Sequence, residues 1–452
     1  MSGMMEILKR IDGLPIAPIS DGADEQNRIL REELPFKIWE YESGQEHNGW
    51  IVPQKWEVVK AEIKKDGQLI YDGKKHPLGV IGYSRSFKGK VSLSELKNHL
   101  YYFKKSPDDI VYHCDLYYKP HLKTWGFSLP YNVFLRLTEG EYEVDLETTH
   151  TDGKMKVLEY EHQGELKETV IFNAHNCHAA QLNDGPAGYV VFMEIMNRLK
   201  QRQTRFSYRL VVGPEHLGTV FYLAGLDGRT IDNFKLGIFL EIIGHDNPVF
   251  ALQESFSGKS LMDRVAHHVL KFKSGNYWSK GFRQVLGNDE SVWEAPGYEV
   301  PMISLSRVSP GNFEKADHRH TPYHHLSSDN FEQIKEDKLA ETVNIIMEII
   351  EVLEKNCWLK RKFTGLIALS NPKYDLYISP GTDPSINQDG NLKVRYQWYD
   401  LMNRLPRYFD ENISILDIAI KHDLPFNEVY DYLTRFREKG LIEFINKDYE
   451  DA

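Results

Sequence analysis

Four short apolar runs, separated by segments long enough to hold helices, constrain the fold of this chain more than any other feature. The runs are TVIFNA (169–174), YRLVVG (208–213), LGIFLEII (236–243) and VPMISLS (300–306). Short runs rich in β-branched residues are typical of strands that are buried on both faces of a sheet. Helical patterns such as AGYVVFMEIMNRLKQR stand between them, so the order of elements predicts an α/β domain with three layers.

The segments around this region have patterns of their own. An amphipathic pattern over 331–354 predicts a long closing helix. Residues 36–43 alternate like a strand, and Ser20 or Asp21 can cap a helix before it. Residues 50–164 are dense in aromatic residues and are interrupted by Pro and Gly. This segment is predicted to be mostly β with one helix, which begins in a capping box, SLSE at 92–95.

A stretch rich in Pro, Gly, Asn and Asp follows Cys357 and indicates a domain boundary. Beyond it, the pattern predicts two helices joined by a tight turn, the second capped by Asn427 and ended by Gly440, and then a strand. This order is typical of a winged helix-turn-helix. The predicted domains are 1–49 joined with 165–360, an inserted domain at 50–164, and a C-terminal domain at 370–452.

Composition excludes several classes of protein. The 452 residues carry 55 Lys and Arg against 66 Asp and Glu, a net charge of −11, which disfavours a protein that coats nucleic acid or anionic membrane. Three cysteines are too few for a disulfide framework or a cysteine-based zinc site. No apolar run reaches roughly 18 residues, and the N-terminal segment lacks a signal-peptide core. We therefore expect a cytoplasmic protein with no membrane and no nucleic acid partner.

The chemically dense stretch is FNAHNCHAAQLNDGPAG, where His175, His178 and Asp184 follow a predicted strand and precede a helix. Ligands of open α/β sheets bind beyond the carboxyl ends of strands, and imidazole and carboxylate groups are the usual ligands of zinc. The alternative is a polar turn in which Asn183 and Asp184 cap the helix. Cys177 lacks a basic neighbourhood and is interpreted as a packing residue.

Further candidates also lie near predicted strand ends. Glu215 follows YRLVVG and could act as a general base, although a surface Glu at a helix N-terminus is the alternative. Glu241 lies in an otherwise apolar run, where an unpaired carboxylate is costly to bury. The remaining candidates are in two loops and comprise Asp289, Glu290, His324, His325 and Asp329.

At these residues the chain resembles the zinc aminopeptidase clan of M28-type metallopeptidases. NAHNCHAAQLNDGPAG resembles the metal motif of that clan, PEHLG its Glu-Glu-x-Gly, LEIIG its Asp-x-x-Gly and HLSSDN its His-x-x-x-Asp. GWIVPQKW, YYKPHLKTWGFSLPY and GNDESVWEAPGYEVP resemble a bacterial subgroup with an inserted small domain and a C-terminal winged helix. The resemblance implies a three-layer aminopeptidase-like (phosphorylase/hydrolase-like) fold with a mixed sheet.

The resemblance also implies roles for individual residues. It makes His175, Asp184 and His325 the leading zinc ligands, with Asp184 as the candidate bridge between ions. Glu241 matches the second-site carboxylate of the clan, and Glu215 matches its general base.

The resemblance assigns Asp289 and Glu290 to an acidic pair near the substrate amine, with Glu290 as a catalytic residue. Where the clan has a second glutamate ligand, this chain has His216. That replacement favours one zinc ion, with two ions as the alternative.

Two positions leave the ligand set open. His178 follows His175 by three residues and could compete as a ligand, and Ala179 stands where the subgroup has Pro. Spacing to the downstream Asp favours His325 as a ligand, whereas the preceding Tyr favours His324.

These features predict a zinc-dependent hydrolase of a peptide or other amide bond. The alternatives are a catalytically inactive relative and a hydrolase of a non-peptide amide in a sugar or metabolite pathway. Trp125 and Tyr131 are the residues of the insert expected to contact substrate, while most of its aromatic residues are expected to form a core.

A regulator that binds DNA through the C-terminal helices is a further hypothesis, from a different functional class. Residues 365–452 hold ten Lys and Arg against fifteen Asp and Glu, which is the wrong balance for phosphate binding. Homodimerisation or service as a lid is the favoured role for these helices.

Overall fold

The computed structural model describes residues 3–119, 121–309, 321–378 and 392–447. The chain divides into two units. Unit 1 comprises residues 1–258 and 277–343, and unit 2 comprises 259–276 and 344–452.

The strands follow one another along the chain from the N-terminal segment to the C-terminal helices. They are β1 Lys37–Glu42, β2 Glu46–His47, β3 Trp50–Ile51, β4 Lys55–Lys65, β5 Gln68–Asp72, β6 Phe87–Ser92, β7 Leu100–Tyr101, β8 Phe127–Ser128, β9 Glu141–Thr151, β10 Lys154–His162, β11 Thr169–His175, β12 Ser207–Gly213, β13 Phe234–Leu240, β14 Phe250–Gln253, β15 Tyr277–Lys280, β16 Met302–Ser306, β17 Trp358–Arg361, β18 Asp410–Ser414 and β19 Ile442–Ile445.

The α-helices range from single turns to a helix of 20 residues. They are α1 Gly3–Ile11, α2 Asp21–Glu33, α3 Leu93–Lys97, α4 Asp115–Tyr118, α5 Tyr131–Phe134, α6 Pro186–Leu199, α7 Leu217–Ala224, α8 Gly228–Asp232, α9 Leu261–Lys273, α10 Glu290–Trp293, α11 Glu336–Lys355, α12 Leu392–Arg404, α13 Ile415–His422 and α14 Phe426–Glu438. None of the helices among the described residues combines the length and the apolarity needed to cross a membrane.

The main sheet of unit 1 has eight strands in the order β1-β10-β12-β11-β13-β16-β14-β15. Strands β11, β12, β13 and β16 correspond to the four apolar runs, and each pairs in parallel with its neighbours in that set. Antiparallel β1, β10 and β14 make the sheet mixed. Every residue of β11 and β12 is buried, as expected for strands covered on both faces.

Helices cover both faces of this sheet. Phe172 of β11 stacks on Phe192 of α6, with 4.7 Å between ring centroids. The adjacent Ile171 belongs to the cluster that contains Phe221 and Tyr222 of α7. Because neighbouring residues of a strand point to opposite faces, α6 and α7 lie on opposite sides of the sheet and the predicted three-layer arrangement is confirmed.

A second sheet in unit 1 is antiparallel, with the order β5-β4-β9-β6. Its strands lie between residues 55 and 151. They contribute to an apolar cluster that includes buried aromatic residues. Trp125 is buried there between Phe87 and His99, whose ring centroids lie 4.4 Å and 3.7 Å from its own. Tyr131 packs against Phe134. Trp125 and Tyr131 thus pack against neighbouring aromatic rings of the segment, and their contact with substrate stays a prediction.

Local capping groups explain where several helices begin. Ser20 accepts the N–H of Ala23 at 3.1 Å and starts α2, and Ser92 accepts that of Glu95 at 3.2 Å and starts α3. The predicted cap at Asn427 is wrong, because α14 already begins after Pro425. Proline has a φ suited to this entry and prevents the preceding turn from joining the helix.

Unit 2 contains a three-stranded sheet, β18-β17-β19. Helices α13 and α14 are joined by a short turn in which Asp423 adopts a left-handed conformation. Gly440, which has a φ of +70°, follows α14 before β19 begins. The helix predicted to start at residue 331 starts instead at Glu336, because Asn330 caps a separate 3-10 turn.

Candidate metal centre

The carboxyl ends of three neighbouring parallel strands place the first candidate residues at one edge of the main sheet. His175 is the last residue of β11 and pairs with Gly213, the last residue of β12. Glu215 lies two residues beyond β12, and Glu241 directly follows β13. These side chains therefore enter the region where open α/β sheets bind their ligands.

Asp184 approaches the same region from the loop between β11 and α6. Gly185 allows this loop to lie close to β11, because a Cβ at that position would be 2.3 Å from the carbonyl oxygen of His175. The carboxylate of Asp329 accepts the main-chain N–H of Asn183 at 2.8 Å and that of Asp184 at 3.2 Å. Asp329 thus fixes the loop that presents Asp184.

His175, Asp184 and Glu241 form what we call the first donor group. Nε2 of His175 lies 3.6 Å from Oδ1 of Asp184 and 3.9 Å from Oε2 of Glu241. All three side chains are buried. Across the described parts of the chain, Nε2 of His175 and Oε1 of Glu241 have no hydrogen-bond partner. Buried polar atoms normally have partners, so these atoms fit a bound cation.

His178, Asp184 and His325 form the second donor group. Nε2 of His178 lies 3.4 Å from Oδ2 of Asp184, and Nε2 of His325 lies 3.5 Å from the same oxygen. Nε2 of His178 and Oδ2 of Asp184 are also buried, and neither has a hydrogen-bond partner among the described residues. His324 stacks on His325 and places Nδ1 3.9 Å from Oδ1 of Asp184. The two adjacent histidines therefore approach different oxygens of one carboxylate.

The spacing within both groups fits zinc. Two ligands at 2.0–2.2 Å from a tetrahedral zinc ion are about 3.4 Å apart, close to the 3.4–3.6 Å contacts of His175, His178 and His325 with Asp184. In each group the ligand atoms lie within 4.8 Å of one another. The three leading ligands are divided between the groups, because His175 and His325 approach opposite oxygens of Asp184.

The two carboxylates of the first donor group differ in their electrostatics. Burial raises the pKa of Asp184, but the surrounding imidazoles, His324 first, outweigh it and hold this pKa well below its usual range. Burial raises the pKa of Glu241 well above its usual range, and the charge of Asp184 adds to that effect. A divalent cation would instead lower the pKa of Glu241, because it favours the charged carboxylate.

His216 lies outside both donor groups. Its Nδ1 is 3.2 Å and its main-chain N is 2.6 Å from Oδ1 of Asp289, and the hydroxyl of Thr219 donates to the other oxygen at 2.6 Å. Asp289 is fully buried and thus holds the loop that follows β12. Donors of its own chain contact both carboxylate oxygens of Asp289, and its placement near a substrate amine stays a prediction.

Glu290 does not lie in a loop, because it is the first residue of α10. It is linked to the first donor group through Asn288. Both of its oxygens lie 2.9 Å from the main-chain N of Asn288, which donates to them. The side chain of Asn288 donates to Oε2 of Glu241 at 3.0 Å. Burial raises the pKa of Glu290. Asn288 therefore connects Glu290, a candidate catalytic residue, to Glu241, a candidate metal ligand.

Glu215 lies beside the first donor group. Its Oε2 is 3.9 Å from Sγ of Cys177, and its Oε1 is 3.7 Å from Nε2 of His216. The side chain is 20% exposed, which allows proton exchange with water. Burial raises the pKa of the Cys177 thiol to about 11, so that thiol stays protonated at neutral pH.

Backbone strain is concentrated around this centre. Ala180, His216, Ile242 and His325 all have φ between +49° and +57°, a region that non-glycine residues rarely adopt. Each of them lies in a loop that carries a candidate residue. Such conformations persist where the surrounding structure imposes them, and they cluster at functional sites.

The segment from the end of β7 through α4 supplies residues to the centre that the sequence did not indicate. The ring of Tyr112 stacks on His178, with 3.8 Å between centroids, and meets His325 edge-on at 5.4 Å. The hydroxyl of Tyr117 donates to the carbonyl oxygen of Glu215 at 3.4 Å. Neither tyrosine has a motif or spacing that connects it to the histidines. Asn288 could have been found, because it directly precedes the acidic pair.

The sequence of this chain matches a protein family and a bacterial relative. Residues 14–356 match the family described as domain of unknown function DUF4910. The chain belongs to this family. This DUF4910 protein is also 28% identical over 415 residues to a Clostridium acetobutylicum protein, and the match covers 90% of this chain and 88% of the other. That relative is provisionally named a polysaccharide biosynthesis protein with an aminopeptidase-like domain.

Solved structures show the same fold. A Clostridium acetobutylicum protein, provisionally described as a peptidase, matches with a TM-score of 0.80 and 24% identity, covering 98% of this chain and 96% of that one. A zinc aminopeptidase from Bacillus subtilis matches with a TM-score of 0.58 and 12% identity, covering 77% and 93%. At these identities the likeness establishes a mixed α/β fold of the aminopeptidase type.

Proposed function

We propose that this DUF4910 protein is a zinc-dependent hydrolase of an amide or peptide bond. The observation that carries the proposal is the convergence of imidazole nitrogens on both oxygens of the buried Asp184, beside Glu215 and at the carboxyl ends of parallel strands. The likeness of its fold to that of a zinc aminopeptidase supports the same proposed function.

The first and second donor groups would hold the metal, either as one ion or as two that share Asp184. When bound, zinc polarises an amide carbonyl and makes water more acidic. Glu215 would take a proton from the attacking water and deliver it to the amine that leaves, so that the products are a carboxylic acid and an amine. Asn288 and Asp329 would keep Glu241 and Asp184 in position, as outer-shell partners of metal ligands do.

A non-peptide amide of sugar metabolism is the second candidate substrate. The name of the Clostridium acetobutylicum relative, which refers to polysaccharide biosynthesis, supports it. The helices and sheet of unit 2 between 370 and 452 would form a winged helix that does not read DNA, because its charge balance is acidic.

The test is a metal analysis combined with Glu215→Gln. We expect one or two zinc ions per purified chain, and we expect the variant to keep its zinc while hydrolysis falls at least about 100-fold, the scale of a general base. Activity would be measured on aminoacyl anilides and on N-acetylated hexosamines. Glu194→Gln, an exposed change on α6, is the matched control.

Two results would contradict this proposal. One is a chain that contains no metal after purification from zinc-supplied cells. The other is a Glu215→Gln variant that hydrolyses substrate as fast as the unchanged chain.

A further inference from the structure

A cavity of about 300 Å³ lies in unit 1, away from the donor groups, between the loop after β1 and the second sheet. Its polar wall is formed by Gln54, Tyr83, Arg85, His150 and Asp152. Its volume is enough for one ring-sized molecule and falls at the lower end of ligand sites in proteins.

Arg85 gives this cavity its charge. The residue is half-buried, and within the described parts of the chain its guanidinium takes part in no hydrogen bond or ion pair. The nearby carboxylate of Asp152 is instead engaged by the side-chain amide of Gln54 at 3.0 Å. A half-buried guanidinium without an acceptor is unusual, because its five N–H donors normally pair with carboxylate or phosphate oxygens.

Two further residues of the wall carry polar atoms that are also unpaired. Oη of Tyr83 and Nε2 of His150 are buried, and neither has a hydrogen-bond partner among the described residues. Burial lowers the pKa of His150, and the charge of Arg85 lowers it further. The imidazole is therefore neutral at pH 7 and leaves Arg85 as the cation of this wall.

The aromatic side of the cavity connects it to the candidate metal centre. Tyr83 has a φ of +62°, and its ring stacks between Trp56 and Tyr117, with centroid distances of 5.9 Å and 6.0 Å. Tyr117 in turn contacts the main chain of Glu215. One layer of aromatic rings thus separates the cavity from the candidate general base.

We propose that this cavity is a second binding site, which takes a small hydroxyl-bearing carboxylate or phosphate with its anionic group on Arg85. Neutral hydroxyls would pair with the polar groups of Tyr83 and His150, and the carbon skeleton would lie against the tyrosine rings. The proposal does not depend on hydrolysis at the metal centre.

Calorimetric titration of the full-length, metal-loaded protein tests it, with D-glucuronate, glucose 6-phosphate and neutral glucose as probes. We expect at least one anion to bind about tenfold or more tightly than glucose, since a charge-assisted bond contributes that much. Preference for glucuronate would identify a carboxylate ligand, and preference for glucose 6-phosphate a phosphate ligand.

Arg85→Gln should reduce anion binding about tenfold, and Arg85→Lys should retain part of it because the charge remains. Arg136→Gln, at an exposed arginine in the same region of the chain, is the control and should bind as the unchanged chain does. Arg85→Gln also separates this cavity from any anion binding at the zinc ligands.

The proposal is overturned if none of the probes binds at 10 mM or if glucose binds as well as the anions. It is also overturned if Arg85→Gln binds normally, or if Arg136→Gln loses as much affinity as Arg85→Gln. Because binding rather than turnover is measured, these outcomes leave the proposed hydrolysis to be judged by its own test.

Discussion

Asp184 presents a different oxygen to each donor group, and in the second group His178 and His325 both approach Oδ2. The alternative ligand, His216, is withdrawn by Asp289, which accepts from its main chain and lies 3.2 Å from its ring. The stacked ring of Tyr112 fixes His178 from the other side. His178 rather than His216 therefore lies close to the carboxylate of Asp184.

We therefore expect His178→Ala and His216→Ala to differ in metal binding. His178→Ala removes a donor that lies 3.4 Å from Oδ2 of Asp184 and should weaken zinc binding at least tenfold, the minimum loss seen even for outer-shell partners. His216→Ala should keep its zinc, because it loses only the contact of the ring with Asp289 while the main-chain contact remains. Competition with a chromophoric chelator measures both affinities, and the reverse order would refute the assignment.

At the scale of elements, a short bridge between two distant segments holds the loop of His325. Val111 and Leu326 form an isolated β-bridge. The N–H of Tyr112 donates to the carbonyl oxygen of His325 at 2.8 Å. The hydroxyl of Ser327 accepts from Ile110 at 2.9 Å and donates to Asp109, also at 2.9 Å. Residues 109–112 thereby hold the loop of a candidate ligand in place.

Ser327→Ala should loosen this bridge. The variant leaves the N–H of Ile110 and the carboxylate of Asp109 without the hydroxyl, a loss of about 1–2 kcal/mol in local stability. Hydrogen exchange at residues 110–112 should become faster. Ser328→Ala removes a neighbouring hydroxyl that forms no hydrogen bond among the described residues, and exchange that responds equally to both changes would contradict this role.

The sequence predicts some elements of the fold better than others, and burial explains the difference. Runs buried on both faces, such as β11 and β13, have an apolar composition that is visible without an alignment. Strand β15 was missed because its four residues are half-buried or exposed and therefore show neither an apolar run nor alternation. Helix α9 begins with a signal that is visible in the sequence, the full capping box of Ser260 and Asp263.

The sequence likewise predicts only part of the candidate site. His175, Asp184 and Glu241 follow strand ends that can be located in the sequence. The contacts of Tyr112 with His178, and of Asp289 with His216, depend on loops brought together by tertiary folding. No periodicity links residues separated in this way. The sequence therefore indicates His178 as a candidate metal ligand but gives no reason to prefer it to His216.

At the scale of the whole molecule, a buried neutral histidine takes part in the helix packing of unit 2. Nε2 of His268, on α9, accepts the N–H of Phe426 at the start of α14 at 3.0 Å. This bond supplies an acceptor for the first N–H of α14, which has no partner within the helix. It exists only while the imidazole is neutral.

Acid should therefore destabilise unit 2 through His268. Burial, assisted by Lys271 and opposed by Asp423, lowers the pKa of His268 to about 4, whereas the unfolded chain titrates near 6.5. Because the unfolded state takes up the proton first, the stabilisation is complete above pH 6.5, falls as the pH drops, and is gone by about pH 4. The difference of about 2.5 units corresponds to at most about 3 kcal/mol.

His268→Gln keeps an acceptor for Phe426 but cannot titrate, so its free energy of unfolding should fall less between pH 6.5 and 4 than that of the unchanged chain. His267→Gln changes the preceding residue on α9 and should keep the original pH dependence. Urea unfolding followed by tryptophan fluorescence at several pH values measures the slopes. Equal slopes for the unchanged chain and His268→Gln would show that the imidazole does not make the packing of α9 and α14 acid-sensitive.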